Sequence, residues 1–183
     1  MSPPPDLELL LSAREGDHDA GRQLVERHGP SMLGTAWSVL GRYARSEADD
    51  VVQEALVTAL TTSALPRGDD VGAWLRAITV RKGLDWLRRA SRRREQPLPE
   101  PDRDDLHPIA SENPEVSLDL LTVREALSAL KPMERGILVL ADIEGWSMQE
   151  IARHLGLTRV AVKLRASRAR RRLARMLDRA TTT

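Results

Sequence analysis

Between Glu95 and Glu115 the chain reads EQPLPEPDRDDLHPIASENPE, and this stretch limits the possible folds more than any other. Five of the eleven prolines lie in it: Pro97, Pro99, Pro101, Pro108 and Pro114. Proline has no amide hydrogen to give and clashes with the preceding turn, so a helix cannot run through such a sequence. From Glu95 to Asp119 eight acidic residues stand against Arg103 alone, and like charges at this density repel and extend a chain. The segment 95–117 is therefore expected to be an acidic, flexible linker. It divides the 183 residues into two modules, 1–94 and 118–183.

Both modules read as helical. The chain has four Trp, one Tyr and no Phe, so its cores must come from Leu, Val, Ile, Ala and Met, a palette that favours helices over sheets. Period-two runs joined by hairpin dipeptides are missing. In the first module two amphipathic segments begin at Leu7, Leu10, Leu11 and at Ala20, Leu24, Val25, with breaks predicted near Gly16 and at Gly29-Pro30. Met32, Leu33, Ala36, Trp37 and Leu40 form the next stripe. In SEADDVVQEALVTAL, Ser46 is placed to cap a helix whose first turn carries acids, with Val51, Val52, Ala55, Leu56 and Ala59 as its apolar stripe. A last helix, VGAWLRAITVRKGLDWLRRASRRR, has one apolar face (Trp74, Leu75, Ile78, Leu84, Leu87) and arginine on the rest. In the second module LDLLTVREALSAL is followed by PMERGILVLADI, where Pro132 suits a first helical position. The expected fold is all-α: two small helical domains joined by an acidic, proline-rich linker.

The formal net charge of +1 conceals segregation. Seven basic residues oppose Asp85 between Arg81 and Arg94, and nine oppose Asp178 between Arg159 and Arg179. Basic blocks of this kind attract phosphate. The second block ends a specific pattern, EGWSMQEIARHLGLTRVAVKLRASRARRRL. Ser147 and Glu150 make a capping box. Ile151 and Leu155 face a core, Ala152 permits a close helix crossing, and Gly156 supplies a turn at positive φ. Leu157 plugs the core, Thr158 caps the next helix, and Val162 completes helix-turn-helix spacing. In that geometry the second helix enters the DNA major groove. Arg159, Lys163, Leu164 and Ser167 can reach base edges, while Arg165, Arg168, Arg170 and Arg171 suit phosphates.

No competing chemistry emerges. His18, His28, His107 and His154 are scattered, without metal-ligand spacing or a partner base, and Asp49, Asp50 and Glu54 lack a nucleotide loop. Zero cysteine excludes disulfides and thiolate metal sites. No catalytic residue, metal or cofactor is expected. No apolar run reaches the roughly 20 residues of a membrane span. The opening MSPPPDLELLLSAREGD lacks the pattern of a signal peptide, which points to the cytoplasm. On these residues alone, a free-standing helix-turn-helix regulator with a dimerising or sensing first module remains an alternative.

Three segments in order carry a further resemblance. EADDVVQEALVTAL, AWLRAITVRKGLDWLRRASRR and ALSALKPMERGILVLADIEGWSMQEIARHLGLTRVAVKLRASRARRRL together resemble bacterial RNA polymerase sigma factors of the small, two-domain extracytoplasmic-function type of the sigma-70 family. The resemblance runs from Ala20 to about Leu177. It implies that Asp49, Asp50, Gln53 and Glu54 dock on the clamp helices of the largest subunit of core RNA polymerase. It implies that the loop 63–72 with Arg67, and the helix carrying Trp74, Arg81, Asp85, Arg88 and Arg89, capture the opened strand of promoter DNA at the −10 element. The helix-turn-helix, with Arg159, Lys163, Leu164, Ser167, Arg168 and Arg171, would read the −35 element as duplex. An anti-sigma factor is a typical partner of such proteins. The chain departs from the family pattern at Ala55, Leu56 and Leu60 after V-Q-E, at Arg81 in place of a common asparagine, and at Val160, Ala161 and Leu164 beside the reading surface.

Overall fold

The structure, a computed structural model, describes residues 4–41, 46–66, 70–93 and 126–181. Arg67, the expected linker at 95–117 and residues 118–125 of the helix expected after it lie outside the described residues. Every regular element among the described residues is helical: α1 (Asp6–Arg14), α2 (His18–Leu40), α3 (Ala48–Thr61), α4 (Val71–Arg93), α5 (Pro132–Leu138), α6 (Met148–Leu155) and α7 (Arg159–Thr181). A π-helical turn, Val139–Ile143, extends α5.

Local signals set several of these boundaries. Asp17 caps α2 by accepting from the Asp19 and Ala20 amides, and Pro132 opens α5. Two expectations fail. The break predicted at Gly29-Pro30 does not occur, because α2 runs unbroken through Pro30. Residues on both sides of the proline bury one continuous face, with Ala20 and Leu24 before it and Met32, Ala36 and Leu40 after it. That burial outweighs the roughly 3 kcal/mol a mid-helix proline costs. Ser46 is not the cap of α3. Residues 46 and 47 form a 3₁₀ turn ahead of the helix, Glu47 takes the N-cap position without a side-chain bond, and the Ser46 hydroxyl meets only Glu47 Oε1 at 3.5 Å.

Helices α1 to α4 enclose a core built on Leu10, Leu24, Met32, Leu40, Val51 and Leu75. A second cluster joins Ile137, Leu140, Ile151, Val162 and Ala166 of the later helices to Val39, Ala77, Val80 and Leu84 of α2 and α4. The expectation of a single apolar face on α4 is therefore corrected. Ala77, Val80 and Leu84 make a second buried strip, on which α5 and α6 pack. The approach is close because Gly136 has no side chain, and a Cβ there would sit 3.1 Å from Leu84 Cδ1.

Arg135 fastens this junction. Its side chain is buried, its Nε donates to Val39 O at 2.7 Å, and its Nη1 donates to Ser128 O at 3.0 Å and Leu130 O at 3.3 Å. Burial pushes its pKa down to about 10. A second tie is Arg76 Nε to Glu144 Oε2 at 2.5 Å.

Candidate nucleic-acid interface

The helix-turn-helix is assembled as its sequence dictates. The Glu150 amide donates to Ser147 Oγ at 3.3 Å and the Ser147 amide to Glu150 Oε2 at 2.9 Å, which completes the capping box. Gly156 ends α6 at φ 66°, ψ 36°, the left-handed conformation that a Cβ makes costly. The Leu157 amide then returns to Ala152 O at 2.8 Å. Thr158 Oγ1 accepts from the Ala161 amide at 3.2 Å and starts α7.

On α7 the residues Val162, Ala166 and Ala169 are buried against α5 and α6. The opposite face carries Val160, Leu164, Arg168 and Arg171, all exposed, with Lys163 beside them and Ser167 half-buried. Arg159 is exposed at the helix start. The cations fall into two sets. Arg170 is held by Asp142, Nη2 to Oδ1 at 2.5 Å and Nε to Oδ2 at 3.1 Å, and these bonds raise its pKa. Arg172 donates to Glu134 Oε2 at 3.0 Å. Among the described residues Arg159, Lys163, Arg165, Arg168 and Arg171 have no such carboxylate. Arg170, expected to grip phosphate, thus has a carboxylate partner within the protein, in a pair that is itself nearly half-exposed.

Two other surfaces carry the remaining candidates. Asp49, Asp50 and Gln53 are exposed and Glu54 is half-buried, all on the side of α3 opposite Val51, Ala55 and Ala59. Along α4, Trp74 packs against the first core with the Arg14 guanidinium 5.7 Å over its ring. Arg88 pairs with Asp85 at 2.9 Å. Arg89 reaches Glu54 at 3.2 Å, so the α3 and α4 sets touch. Arg81 is exposed on a polar cleft of 150 Å³ between α4 and α6, which Arg88, Arg153 and His154 also line. No group of three metal-ligating side chains converges among the described residues, and none of their helices is long and apolar enough to cross a membrane.

The sigma-70 region 2 pattern matches residues 24–93, and the sigma-70 region 4 pattern matches residues 120–173. The ECF RNA polymerase sigma factor SigM of Mycobacterium tuberculosis is 36% identical over 173 residues, covering 94% of this chain and 84% of that protein. The chain belongs to the extracytoplasmic-function sigma factors of the sigma-70 family. RNA polymerase sigma factor CnrH of Cupriavidus metallidurans is 33% identical, with 96% of each chain covered. Among solved structures, the sigma factor RpoE of Bartonella quintana, in complex with the anti-sigma factor NepR, superposes with a TM-score of 0.66 at 27% identity. The match covers 86% of this chain and 96% of that one. CnrH, in complex with the cytosolic domain of CnrY, gives 0.59 at 31% identity, covering 96% and 98%. As a sigma factor, this protein directs transcription initiation at promoters through RNA polymerase, and the family is one of transcription regulators rather than catalysts.

Two residues that organise this sigma factor were not singled out by the sequence as organisers. One is Arg135. The other is His154, whose Nε2 donates to Ala77 O at 2.7 Å while its ring meets Trp146 edge-on at 5.3 Å. Burial and the nearby Arg81 charge lower its pKa, against the raising effect of the Ala77 bond. Its closeness to the Gly156 turn was the one available signal, and turn proximity does not reveal a partner 77 residues away.

Proposed function

We propose that the sigma factor divides its task among three surfaces, on a first domain at 1–94 and a second at 118–183. The α3 face of Asp49, Asp50, Gln53 and Glu54 docks on the clamp helices of core RNA polymerase. The α4 face with Arg81, Asp85, Arg88, Arg89 and Trp74, together with Arg67, holds the opened −10 strand, and the exposed Arg88–Asp85 and Arg89–Glu54 pairs exchange their carboxylates for phosphate as it binds. An opened strand needs a cationic track and surfaces for unstacked bases. The outward face of α7, with Arg159, Lys163, Leu164, Ser167, Arg168 and Arg171, reads the −35 element. The chain performs no catalysis of its own and works in the cytoplasm, where promoter DNA and polymerase meet.

The observation that carries this reading is the sorting of cations on α7. Those on the groove-facing side lack carboxylate partners among the described residues, whereas Arg170 and Arg172 are tied back to the protein. An anti-sigma partner is proposed from the similar structure of RpoE, solved with the anti-sigma factor NepR, and CnrH is likewise solved with a second chain, the cytosolic domain of CnrY. The α4–α6 contact must also open during initiation. The two elements lie about 25 base pairs apart by their names, or about 85 Å at 3.4 Å per pair. Helices joined by a 2.7 Å hydrogen bond cannot each occupy one of them.

Reconstitution with core polymerase tests the proposal. Promoter-dependent transcripts should start at defined sites without any other sigma factor, and Asp49→Ala/Asp50→Ala should reduce holoenzyme formation. Arg81→Ala/Arg88→Ala should spare holoenzyme formation and reduce strand opening. Defined transcripts that survive all of these changes would remove the assigned surfaces.

A further inference from the structure

The reading face of α7 begins with a feature that its cations do not explain. Val160 is 68% exposed and Leu164 is 51% exposed. They stand one turn apart, on the side of the helix opposite the buried Val162, Ala166 and Ala169. Neither packs against the second core cluster. Arg159 and Lys163 flank them, and Arg168 and Arg171 continue the same face. Leu11, Val25, Val57, Leu65 and Ile143 are exposed to a similar degree, but Val160 and Leu164 are adjacent and sit among cations, which makes them a small apolar spot on a face suited to DNA. An apolar surface that covers this spot must also tolerate a ring of positive charge. Major-groove DNA offers that combination at one kind of base, because thymine presents a C5-methyl group between phosphate-bearing strands.

We propose that Val160 and Leu164 read thymine methyl groups in the −35 element, and so set the base preference of this sigma factor at two positions. The inference rests on the proposed reading of the −35 element by α7. Side chains four apart on a helix have Cβ atoms about 5–6 Å apart, and successive base pairs rise about 3.4 Å. The two methyl groups therefore lie within one or two base-pair steps of each other, on the same strand or on opposite strands. The cations around them supply affinity through phosphates, while the methyl contacts supply discrimination.

The test begins with holoenzyme reconstituted from the full chain and core polymerase, transcribing a promoter pool randomised across the −35 region. Thymine should be enriched at two positions no more than two steps apart. Val160→Ala and Leu164→Ala should each abolish the preference at one of them. Deoxyuridine, which lacks only the methyl, is then placed at each enriched position in turn. Wild-type promoter use should fall about fourfold per methyl removed, and each alanine variant should be indifferent to the change at its own position. Melting temperatures of the two variants should match wild type, since both side chains face solvent. An enriched −35 sequence without thymine pairs, or deoxyuridine without effect, overturns the methyl contact. If Lys163→Ala and Arg168→Ala still lower promoter use in that case, the groove reading stands and only the methyl contact is lost. A pool showing no −35 preference, with Lys163→Ala and Arg168→Ala silent, overturns both.

Discussion

The division of the α7 arginines makes a quantitative prediction about salt. Each phosphate neutralised on duplex DNA adds about −0.9 to the slope of log K against log[salt]. Of the α7 cations suited to phosphate, Arg165, Arg168 and Arg171 lack a carboxylate among the described residues, so this helix should contribute a slope of about −2.7. Arg168→Ala should make the measured slope less negative by about 0.9, which changes the affinity ratio between 50 and 200 mM salt by about 3.5-fold. Arg170→Ala should leave the slope unchanged, because Asp142 already neutralises that guanidinium. Its effect should fall on stability instead, by about 0.5 kcal/mol, since the pair is nearly half-exposed and exposed pairs contribute little. The converse is sharper: Asp142→Ala releases Arg170 and should steepen the slope by up to about 0.9. The assay is holoenzyme binding to a fluorescent promoter fragment across a salt series, with the polymerase contribution cancelling between variants. If Arg170→Ala flattens the slope as much as Arg168→Ala does, the sorting of free and committed cations is wrong.

Other outcomes follow from the packing. Arg135→Met keeps the aliphatic stem and removes the donors to Val39 O and Ser128 O, so chemical denaturation should show a loss of about 2–4 kcal/mol; a loss below about 0.5 kcal/mol would contradict its role as a fastener. Gly156→Ala has open space for its Cβ but a φ of +66°, so it should cost only the left-handed backbone penalty of about 1 kcal/mol, read as a shift in melting midpoint. His154 has a folded pKa below its usual 6.5, so the opened or unfolded chain binds the proton more readily. Its contribution is present above pH 6.5 and is lost as pH falls through the lowered folded value, and His154→Phe should remove that part of the acid limb in a pH series of melting curves. Spin labels at Lys82 on α4 and Arg153 on α6, the two helices that share one cleft, should report a shorter separation in the free chain than in promoter-bound holoenzyme; an unchanged distance would refute opening.

Much of this sigma factor is legible because its signals are local. Ser147 and Glu150, Gly156, Thr158 and Pro132 each act within a few residues, through capping or a single backbone conformation, and each does so where the sequence places it. The α3 stripe of Val51, Val52, Ala55 and Ala59 is likewise a matter of helical period. Local rules fail where a distant surface outbids them. Pro30 reads as a break, yet burial on both sides carries α2 through it. Ser46 has the chemistry of a cap, but a 3₁₀ turn sets it one step too early.

Residue order is enough to show that the chain is helical, where its arginine-rich last helix begins, and which family it belongs to. Those properties depend on periodicity, caps and ordered motifs. Only the packing of distant surfaces shows that α4 buries two strips, that Arg135 crosses 96 residues to hold Val39 O, and that Arg170 pairs with Asp142. Each of these depends on which surfaces meet in space. An arginine in a basic run carries no mark of the carboxylate that folding will bring to it.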